Sequence, residues 1–426
     1  MTQTVVILGA GWAGLPLAHK LLKYTAPKTS LKVFLVTPNS YFFWNVAATR
    51  GLIPGEIPDD DLFLPIEPGF RRYPADAFEL VLGRAERIDD AASTVMVLTN
   101  AGAARELAYT HLVIATGSRL TSGLPLKPLG SDEQTLTAWR ALQNRVGEAQ
   151  SIVIGGAGPT GVEVAGELAA KYGSTKTITL VSSGSKPLLS DGTSSTAHTA
   201  GTAGTAGTPS PSLITTIETD LQTLGVRLIR NARVTKDEHH QPPPNAAGPD
   251  ASSASTLASS PSPQHHKLTL SNGAVLTTDL YLPLHGVQVN TGFVPPHLLD
   301  ARGNVRQDPR SLRVAGTDNL WALGDVGDAE PKQLTVTDAQ VVHVAAALHA
   351  VLTAADGGGT DGGGGGGVEV PVYVPEKKTM LFLALGRKVR DGPDWSVEAV
   401  AVSGGVGSRG GGCLWIRRRR MWEGRG

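Results

Sequence analysis

The stretch Gly9-Ala10-Gly11-Trp12-Ala13-Gly14 decides the fold class, because it joins a strand-like run to a plausible helix. The strand is predicted at Val5-Val6-Ile7-Leu8 and the helix from Leu15 to Tyr24. In such a unit the first glycine permits a tight turn, the second lets the backbone approach a pyrophosphate, and the third lets the helix pack on the strand. The helix then directs its first amides at the phosphates. The context favours a dinucleotide site over a simple glycine-rich turn.

The same pattern returns at Gly156-Ala157-Gly158-Pro159-Thr160-Gly161, after the strand-like run 151–154. A helix at Val162–Lys171 and a strand at Ile178–Val181 follow it, so two such units predict two bound dinucleotides. Pro159 suits the first turn of a helix. Glu163 lies in that first turn and has two interpretations, since it either complements the helix dipole or acts catalytically near a nicotinamide.

Neither unit has a carboxylate at the end of its second strand, where one normally binds the adenosine ribose hydroxyls. In the first unit Thr37 or Asn39 replaces it, or both simply form the turn that Pro38 and Asn39 favour. In the second unit the strand is followed by Ser182 and Ser183, with Lys186 nearby, and these side chains tolerate a 2′-phosphate. NADH and NADPH are therefore both compatible with the sequence.

The composition excludes several classes of function. With 38 basic and 38 acidic side chains the chain has no net charge to recruit nucleic acid, and only the run Arg417–Arg420 favours DNA binding. The single cysteine, Cys413, excludes a disulfide framework, a cysteine-rich zinc module and a dithiol redox centre. The pairs His239-His240 and His265-His266 lie in Pro/Ser-rich tracts, and no metal site is predicted.

Two further stretches resemble signatures of the FAD-dependent pyridine nucleotide oxidoreductases with two dinucleotide-binding domains. His111–Ser118 is similar to the strand with an Ala-Thr-Gly turn at the junction of the two domains, and Thr317–Asp325 is similar to the second FAD signature. The resemblance implies that Asp325 meets the ribityl-phosphate region of the flavin. A strand that ends in Gly-Asp also places this carboxylate at the sheet edge where such folds bind ligands.

Within that family, Tyr41–Arg50 resembles the apoptosis-inducing-factor-like, mitochondrion-associated branch, also called ferroptosis suppressor proteins, which is similar to type II NADH dehydrogenases. Members of the branch oxidise NAD(P)H and reduce quinones through FAD without a catalytic disulfide, which agrees with the single cysteine. Phe43 and Trp44 either line a flavin or quinone pocket or belong to the core. Leu284-His285-Gly286 departs from the usual Ala-Thr-Gly-like turn of the second domain, and Thr379–Arg387 resembles the C-terminal strand ending in Gly-Arg.

The predicted fold is α/β, with two Rossmann-like domains, the second inserted in the first, and a small C-terminal region. We expect an FAD-binding domain at 1–125 and 284–355 and an NAD(P)-binding domain at 126–283. The second domain contains two inserts that are expected to be disordered, at 182–212 and 237–266. A glycine-rich linker at 356–370 leads to a C-terminal region at 371–426, which is atypical after 389.

The predicted function is an FAD-dependent oxidoreductase that passes a hydride from NAD(P)H to FAD and then electrons to a quinone-like acceptor. The alternative is a nucleotide-sensing or interaction protein with little turnover. The residues predicted to contact FAD are Gly9, Ala10, Gly11, Trp12, Ala13, Gly14, Thr37, Asn45, Arg50, Thr116, Gly117, Gly324, Asp325, Thr335 and Val336. Those predicted to contact the nicotinamide nucleotide are Gly156, Gly158, Pro159, Thr160, Gly161 and Ser182.

No leader precedes the first strand, and no uncharged apolar run has the length of a membrane span, so a cytoplasmic protein is expected. The tail Leu414–Trp422 places aromatic and aliphatic residues beside four arginines. It either contacts an anionic surface, such as that of a lipid droplet or the mitochondrial outer membrane, or is a frayed terminus. The sequence leaves the oligomeric state open.

Overall fold

The computed structural model describes residues 2–189, 211–239, 265–356, 370–375 and 383–386. The strands of these residues are β1 (Gln3–Leu8), β2 (Leu31–Thr37), β3 (Tyr41–Phe43), β4 (Phe63–Pro65), β5 (Phe78–Asp89), β6 (Thr94–Thr99), β7 (Ala104–Ala108), β8 (His111–Ile114), β9 (Ser118–Leu120), β10 (Ser151–Gly155), β11 (Thr177–Val181), β12 (Arg227–Ile229), β13 (Val234–His239), β14 (His266–Leu270), β15 (Val275–Thr278), β16 (Leu280–Pro283), β17 (Val287–Val289) and β18 (Leu320–Ala322). The α-helices are α1 (Gly14–Lys20), α2 (Ala48–Gly51), α3 (Asp59–Leu62), α4 (Glu67–Phe70), α5 (Asp132–Glu148), α6 (Pro159–Tyr172), α7 (Pro211–Thr223) and α8 (Leu334–Asp356).

The first sheet has the order β18-β8-β1-β2-β5-β6-β7, so a late strand, β18, joins six strands from the first 114 residues. The first five of these strands run parallel, and Val5 of β1 lies between Val33 of β2 and His111 of β8. The strand β1 is apolar throughout its second half and buried there, as expected for a parallel strand covered on both faces. The β1-α1-β2 unit thus forms at the predicted place.

The second sheet has the order β12-β11-β10-β16 and is also parallel. Ile152 of β10 lies between Ile178 of β11 and Leu280 of β16. Since these strands fall in sequence between β8 and β18 of the first sheet, the second dinucleotide-binding unit is inserted in the first. The predicted α/β class with two Rossmann-like units is therefore confirmed.

The ends of the two predicted inserts are ordered, which corrects their boundaries. Residues 237–239 belong to β13, where Asp237 lies opposite Leu268 in an antiparallel ladder. In the other insert the amide of Leu188 donates to the carbonyl of Ala157 at 2.9 Å, and α7 begins at Pro211. These polar ends are ordered because backbone pairing satisfies their amides and carbonyls. The centres of the inserts, 190–210 and 240–264, lie outside the described residues, as do 357–369 of the predicted linker.

The C-terminal region is described only at 370–375 and 383–386. Residues 383–386 form no strand, so the described part of the predicted Gly-Arg strand is irregular. The remainder of that strand and the arginine-rich tail fall outside the described residues.

The helix α8 belongs to the core of the first domain. Val344, Leu348 and Leu352 are fully buried, and the His349 ring is 3.1 Å from the hydroxyl of Thr25, in the π-helical turn that extends α1. Among the described residues, Leu334–Ala354 is the one helix long and apolar enough to cross a membrane, with a mean hydropathy of 1.3. A core helix has the same composition.

Candidate active site

The first glycine loop is shaped by contacts that exclude side chains at two positions and leave the third open. Gly9 has φ +104°, and a Cβ there would lie 2.4 Å from the carbonyl oxygen of Ala115. A Cβ on Gly14 would lie 1.8 Å from the carbonyl oxygen of Gly9, so α1 packs on the loop only with glycine there. A Cβ on Gly11 would meet no described atom within 4 Å. The loop therefore leaves free space beside Gly11, where a ligand can approach the backbone.

The second glycine loop repeats this arrangement at the end of β10. Gly156 has φ +111°, and a Cβ there would lie 3.0 Å from the carbonyl oxygen of Leu284. A Cβ on Gly161 would lie 1.9 Å from the carbonyl oxygen of Gly156, whereas Gly158 again faces open space. Pro159 begins α6, and Thr160 follows it. Two loops of one geometry thus stand at the carboxyl ends of two parallel strands.

A cleft of about 910 Å³ opens at the first loop. Its wall includes most residues predicted to contact FAD: Gly9, Ala10, Gly11, Trp12, Ala13, Thr37, Asn45, Thr116, Gly117, Gly324 and Asp325. Trp12 is held in the wall because its Nε1 donates to Oδ1 of Asn45 at 2.7 Å and its ring packs edge-on against Phe42. The cleft therefore brings together four segments that are far apart in the sequence.

Several predicted contacts do not line this cleft. Arg50 donates through Nε and Nη2 to the two carboxylate oxygens of Glu167 on α6, at 2.8 and 2.7 Å. The guanidinium of Arg50 thus forms a bidentate, nearly buried ion pair between the two units, and its contact with a cofactor stays a prediction. At the start of α8, Leu334 and Thr337 line the cleft in place of Thr335 and Val336.

Asp325 places a carboxylate in the wall of the cleft. Its Oδ2 accepts hydrogen bonds from Ser118 Oγ at 2.6 Å and Lys127 Nζ at 2.8 Å. Burial opposes ionisation, but the charge and hydrogen bond of Lys127, together with the hydrogen bond of Ser118, outweigh it and hold the pKa of Asp325 below its usual value. Lys332 adds a second cation, which donates to the carbonyl oxygen of Asp325 and to Asn304. The carboxylate is therefore ionised and fixed in position at neutral pH.

The turn that presents Asp325 is held by a chain of hydrogen bonds. The amide of Gly324 donates to Oε1 of Gln340 at 2.8 Å, and Nε2 of Gln340 donates to Glu330 at 2.9 Å. Tyr373 donates to the same carboxylate oxygen of Glu330 at 2.6 Å. This chain connects the Gly-Asp turn to the C-terminal region.

The Ala-Thr-Gly turn contacts the returning chain of the first domain. Thr116 donates to the carbonyl oxygen of Asn290 at 2.6 Å, and Nδ2 of Asn290 donates back to the carbonyl of Thr116 at 2.9 Å. Arg119 also donates to Oδ1 of Asn290 at 2.6 Å, and both residues line the cleft. Asn290 thus links the Ala-Thr-Gly turn to Arg119, although Arg119 and Asn290 are 171 residues apart in the sequence.

Glu163 lies outside the cleft, on α6. Its Oε1 accepts a hydrogen bond from the amide of Ala384 at 3.1 Å. Desolvation raises the pKa of Glu163 to about 8, against the opposing effect of the Ala384 hydrogen bond. The carboxyl group has limited solvent access and contacts the C-terminal segment, and its role near a nicotinamide stays a prediction.

The two strand ends without acids differ in their surroundings. Thr37 accepts the amide of Asn39 at 3.3 Å, as the turn interpretation requires, while both residues also line the cleft. Ser182 is only 2% exposed, and its hydroxyl lies 3.4 Å from the carbonyl of Lys186, so the half-buried Ser183 is the more accessible hydroxyl there.

The sequence does not predict several polar side chains of the cleft wall. Among these, Lys127, Lys332 and Gln333 lie in loops and belong to no motif, so no local pattern marks them. Gln333 Oε1 is buried in the wall with no hydrogen-bond partner among the described residues. Among those residues no group of three or more His, Cys, Asp or Glu could hold a metal ion.

Fold and site together define an oxidoreductase class with two dinucleotide-binding units. The family profile of the pyridine nucleotide-disulphide oxidoreductases matches residues 3–347, and the chain belongs to this family. Members use FAD and a nicotinamide nucleotide, which confirms the two predicted cofactors.

Individual relatives agree with this assignment. The chain is 38% identical to "Oxidoreductase ptaL" of Pestalotiopsis fici over 80% of its length and 81% of the relative. It is 27% identical to ferroptosis suppressor protein 1 of Xenopus laevis, over 75% of this chain and 73% of the relative, which confirms the predicted resemblance. The sulfide:quinone oxidoreductase of Aquifex aeolicus has a similar fold, with 18% identity and a TM-score of 0.57 over 84% of this chain and 78% of that one.

Proposed function

We propose that this protein oxidises NAD(P)H through FAD and passes the electrons to a quinone-like acceptor. The observation that carries the proposal is the cleft itself, in which a dinucleotide-type glycine loop and an ionised aspartate face one cavity. A chain that only senses nucleotides needs no second cofactor site of this size.

The residues of the cleft fit FAD. The open space beside Gly11 admits a pyrophosphate, and the carboxylate of Asp325 can accept a hydrogen bond from a ribityl hydroxyl. Gln333 Oε1 offers a buried acceptor without a partner among the described residues, which a bound N–H group would satisfy. When bound, FAD supplies the chemistry of hydride acceptance and electron transfer.

The chain's own contribution is positioning and electrostatics. The amides at the start of α8 and the ammonium group of Lys332 place positive charge at one end of the cleft, where they stabilise developing negative charge. Lys127 keeps Asp325 ionised, so that this carboxylate remains a hydrogen-bond acceptor. With one cysteine in the chain, no intrachain disulfide can relay electrons.

The acceptor is proposed from two observations. The cleft wall contains Trp12, Tyr41, Phe42 and Phe43, which suit a flat, apolar ring. The sulfide:quinone oxidoreductase with a similar fold acts on a quinone, as its name says. Peripheral attachment to a cytoplasmic membrane surface stays a prediction, since the basic tail lies outside the described residues.

An anaerobic absorption spectrum of the purified protein tests the proposal. We expect the flavin band to bleach when NADH or NADPH is added and to return when a short-chain quinone follows. If the flavin band bleaches but does not return when quinone is added, the acceptor is not a quinone. A colourless protein that cannot be reconstituted with FAD would overturn the whole proposal. Bound nucleotide without any bleaching would favour the sensing alternative.

A further inference from the structure

The end of β11 carries a cluster of two cations and one carboxylate that the function above does not use. Arg230 directly follows β12, the strand paired with β11, and donates to Oε1 of Glu218 through Nε at 3.0 Å and Nη2 at 2.5 Å. Lys186 Nζ lies 4.0 Å from the other carboxylate oxygen of Glu218. The cluster keeps a net charge of about +1, because two cations share one carboxylate.

The loop that carries Lys186 is fixed between this cluster and the second glycine loop. The amide of Leu188 donates to the carbonyl of Ala157 in the glycine loop at 2.9 Å. On its other side, the amide of Asn231 donates to Gly184 at 3.1 Å and the amide of Ala232 to Ser182 at 3.0 Å. The two cations are therefore held at the carboxyl edge of the second sheet, beside the strand end where a bound dinucleotide places its adenosine ribose.

The charges at this edge discriminate between the two nicotinamide nucleotides. An acid at the strand end would bind the 2′-hydroxyl and repel a 2′-phosphate, but here two serines follow the strand. The carboxylate nearby, Glu218, is 15% exposed and engages the cations. Arg230 is 36% exposed and Lys186 is 44% exposed, so both can contact a ligand without leaving Glu218.

We infer that Arg230 and Lys186, with the hydroxyl of Ser183, form a 2′-phosphate subsite that makes NADPH the preferred donor. Glu218 orients both cations and limits their charge. The guanidinium suits a phosphate because its planar N–H groups can bind two oxygens at once. This inference rests on the proposed function, because it names the donor of the same reaction.

Binding to the full-length, FAD-loaded protein tests the subsite without turnover. Calorimetric titration with 2′,5′-ADP and with 5′-AMP compares ligands that differ by the 2′-phosphate. We expect 2′,5′-ADP to bind about tenfold more tightly or better, with a preference that falls as salt is raised. Equal affinity for the two ligands in the unsubstituted protein would overturn the inference.

Substitutions test whether Arg230 and Lys186 cause the preference for NADPH. In Arg230→Leu we expect kcat/KM for NADPH to fall about 10- to 100-fold while that for NADH changes less than about twofold, since a charge-assisted contact is lost. Lys186→Ala should act in the same direction with a smaller effect, and it is the safer variant because the side chain is half exposed. The matched control is the exposed Arg227 at the other end of β12, and Arg227→Leu should leave kcat/KM unchanged for both NADPH and NADH.

The outcomes separate this inference from the proposed function. An unchanged NADPH-to-NADH ratio in both variants would overturn the subsite even if the flavin is reduced normally. If neither nucleotide reduces the flavin but 2′,5′-ADP still binds more tightly through Arg230, the proposed function fails and the subsite stands.

Discussion

The two glycine loops share one backbone geometry but lie beside carboxyl groups with opposite behaviour. At the first loop, Lys127 holds the pKa of Asp325 below its usual value. On the helix after the second loop, burial raises the pKa of Glu163 to about 8. The same dinucleotide-binding unit thus occurs with an ionised acid in one case and a largely protonated one in the other. The glycine spacing therefore determines the backbone geometry of the two loops, whereas neighbouring tertiary contacts set the charge beside them.

The largest expected effect tests whether the two loops are equally intolerant of side chains. In Gly14→Ala and Gly161→Ala the new methyl group would meet a carbonyl oxygen at 1.8 and 1.9 Å, so each should lower the free energy of unfolding by about 3 kcal/mol. Urea unfolding followed by circular dichroism measures this loss. A change below about 0.5 kcal/mol in either variant would show that its loop differs from the described geometry.

The next effect concerns the ionised acid. Asp325→Asn leaves Lys127 without its counter-charge and weakens a charged acceptor, so we expect FAD affinity to fall about 30-fold, or about 2 kcal/mol. Flavin fluorescence during titration of the apoprotein gives the dissociation constant. Asp318→Asn, an exposed position in the same signature, is the control and should bind FAD normally. Equal affinity in both variants would mean that Asp325 does not contact the cofactor.

The middle glycines separate the two ligands. A methyl group at Gly11 or Gly158 meets no described atom, so neither Gly11→Ala nor Gly158→Ala should destabilise the fold appreciably. Gly11→Ala should weaken FAD binding about tenfold and Gly158→Ala should weaken nucleotide binding about tenfold, each leaving the other ligand unaffected. Calorimetric titration of each variant with each ligand checks that a substitution weakens the binding of its own ligand only. If one variant lost both ligands, the two sites would not be independent.

The smallest effect is the pH dependence of stability. The pKa of Glu163 is higher in the folded protein than in the unfolded chain, where it is near 4.5. The contribution of Glu163 to the free energy of unfolding is therefore fully present below pH 4.5 and is lost as the pH rises through about 8. Glu163→Gln should therefore remove a decline on the order of 1 kcal/mol between pH 5 and 8, allowing for partial solvent access. The depressed pKa of Asp325 acts oppositely, since its contribution is lost as the pH falls below about 4. Denaturation midpoints measured across this pH range show whether the stability of each variant rises or falls with pH.

The sequence predicts most of the backbone that lines the cleft but few of its charged side chains. The residues 9–14 and 324–325 lie in contiguous motifs, in which the spacing itself carries the physical requirement, and the structure places them in one cleft apart from the packing glycine Gly14. Arg50 ends the segment Tyr41–Arg50 that resembles the family, and its guanidinium binds Glu167, which is 117 residues away in the sequence. Motif membership does not reveal the direction in which a long side chain turns.

Local sequence is sufficient to predict the two strand-turn-helix units, because the turn, the open approach and the helix packing each depend on a glycine within six residues. It also excluded a redox disulfide through the single cysteine. Which acids are ionised and which cations lie together depends on contacts that form only in the folded protein. Lys127 and Asp325 are 198 residues apart, and Arg230 reaches the end of β11 only because β12 pairs with that strand. Local spacing encodes backbone geometry, whereas electrostatics depends on burial and on neighbours brought together by folding.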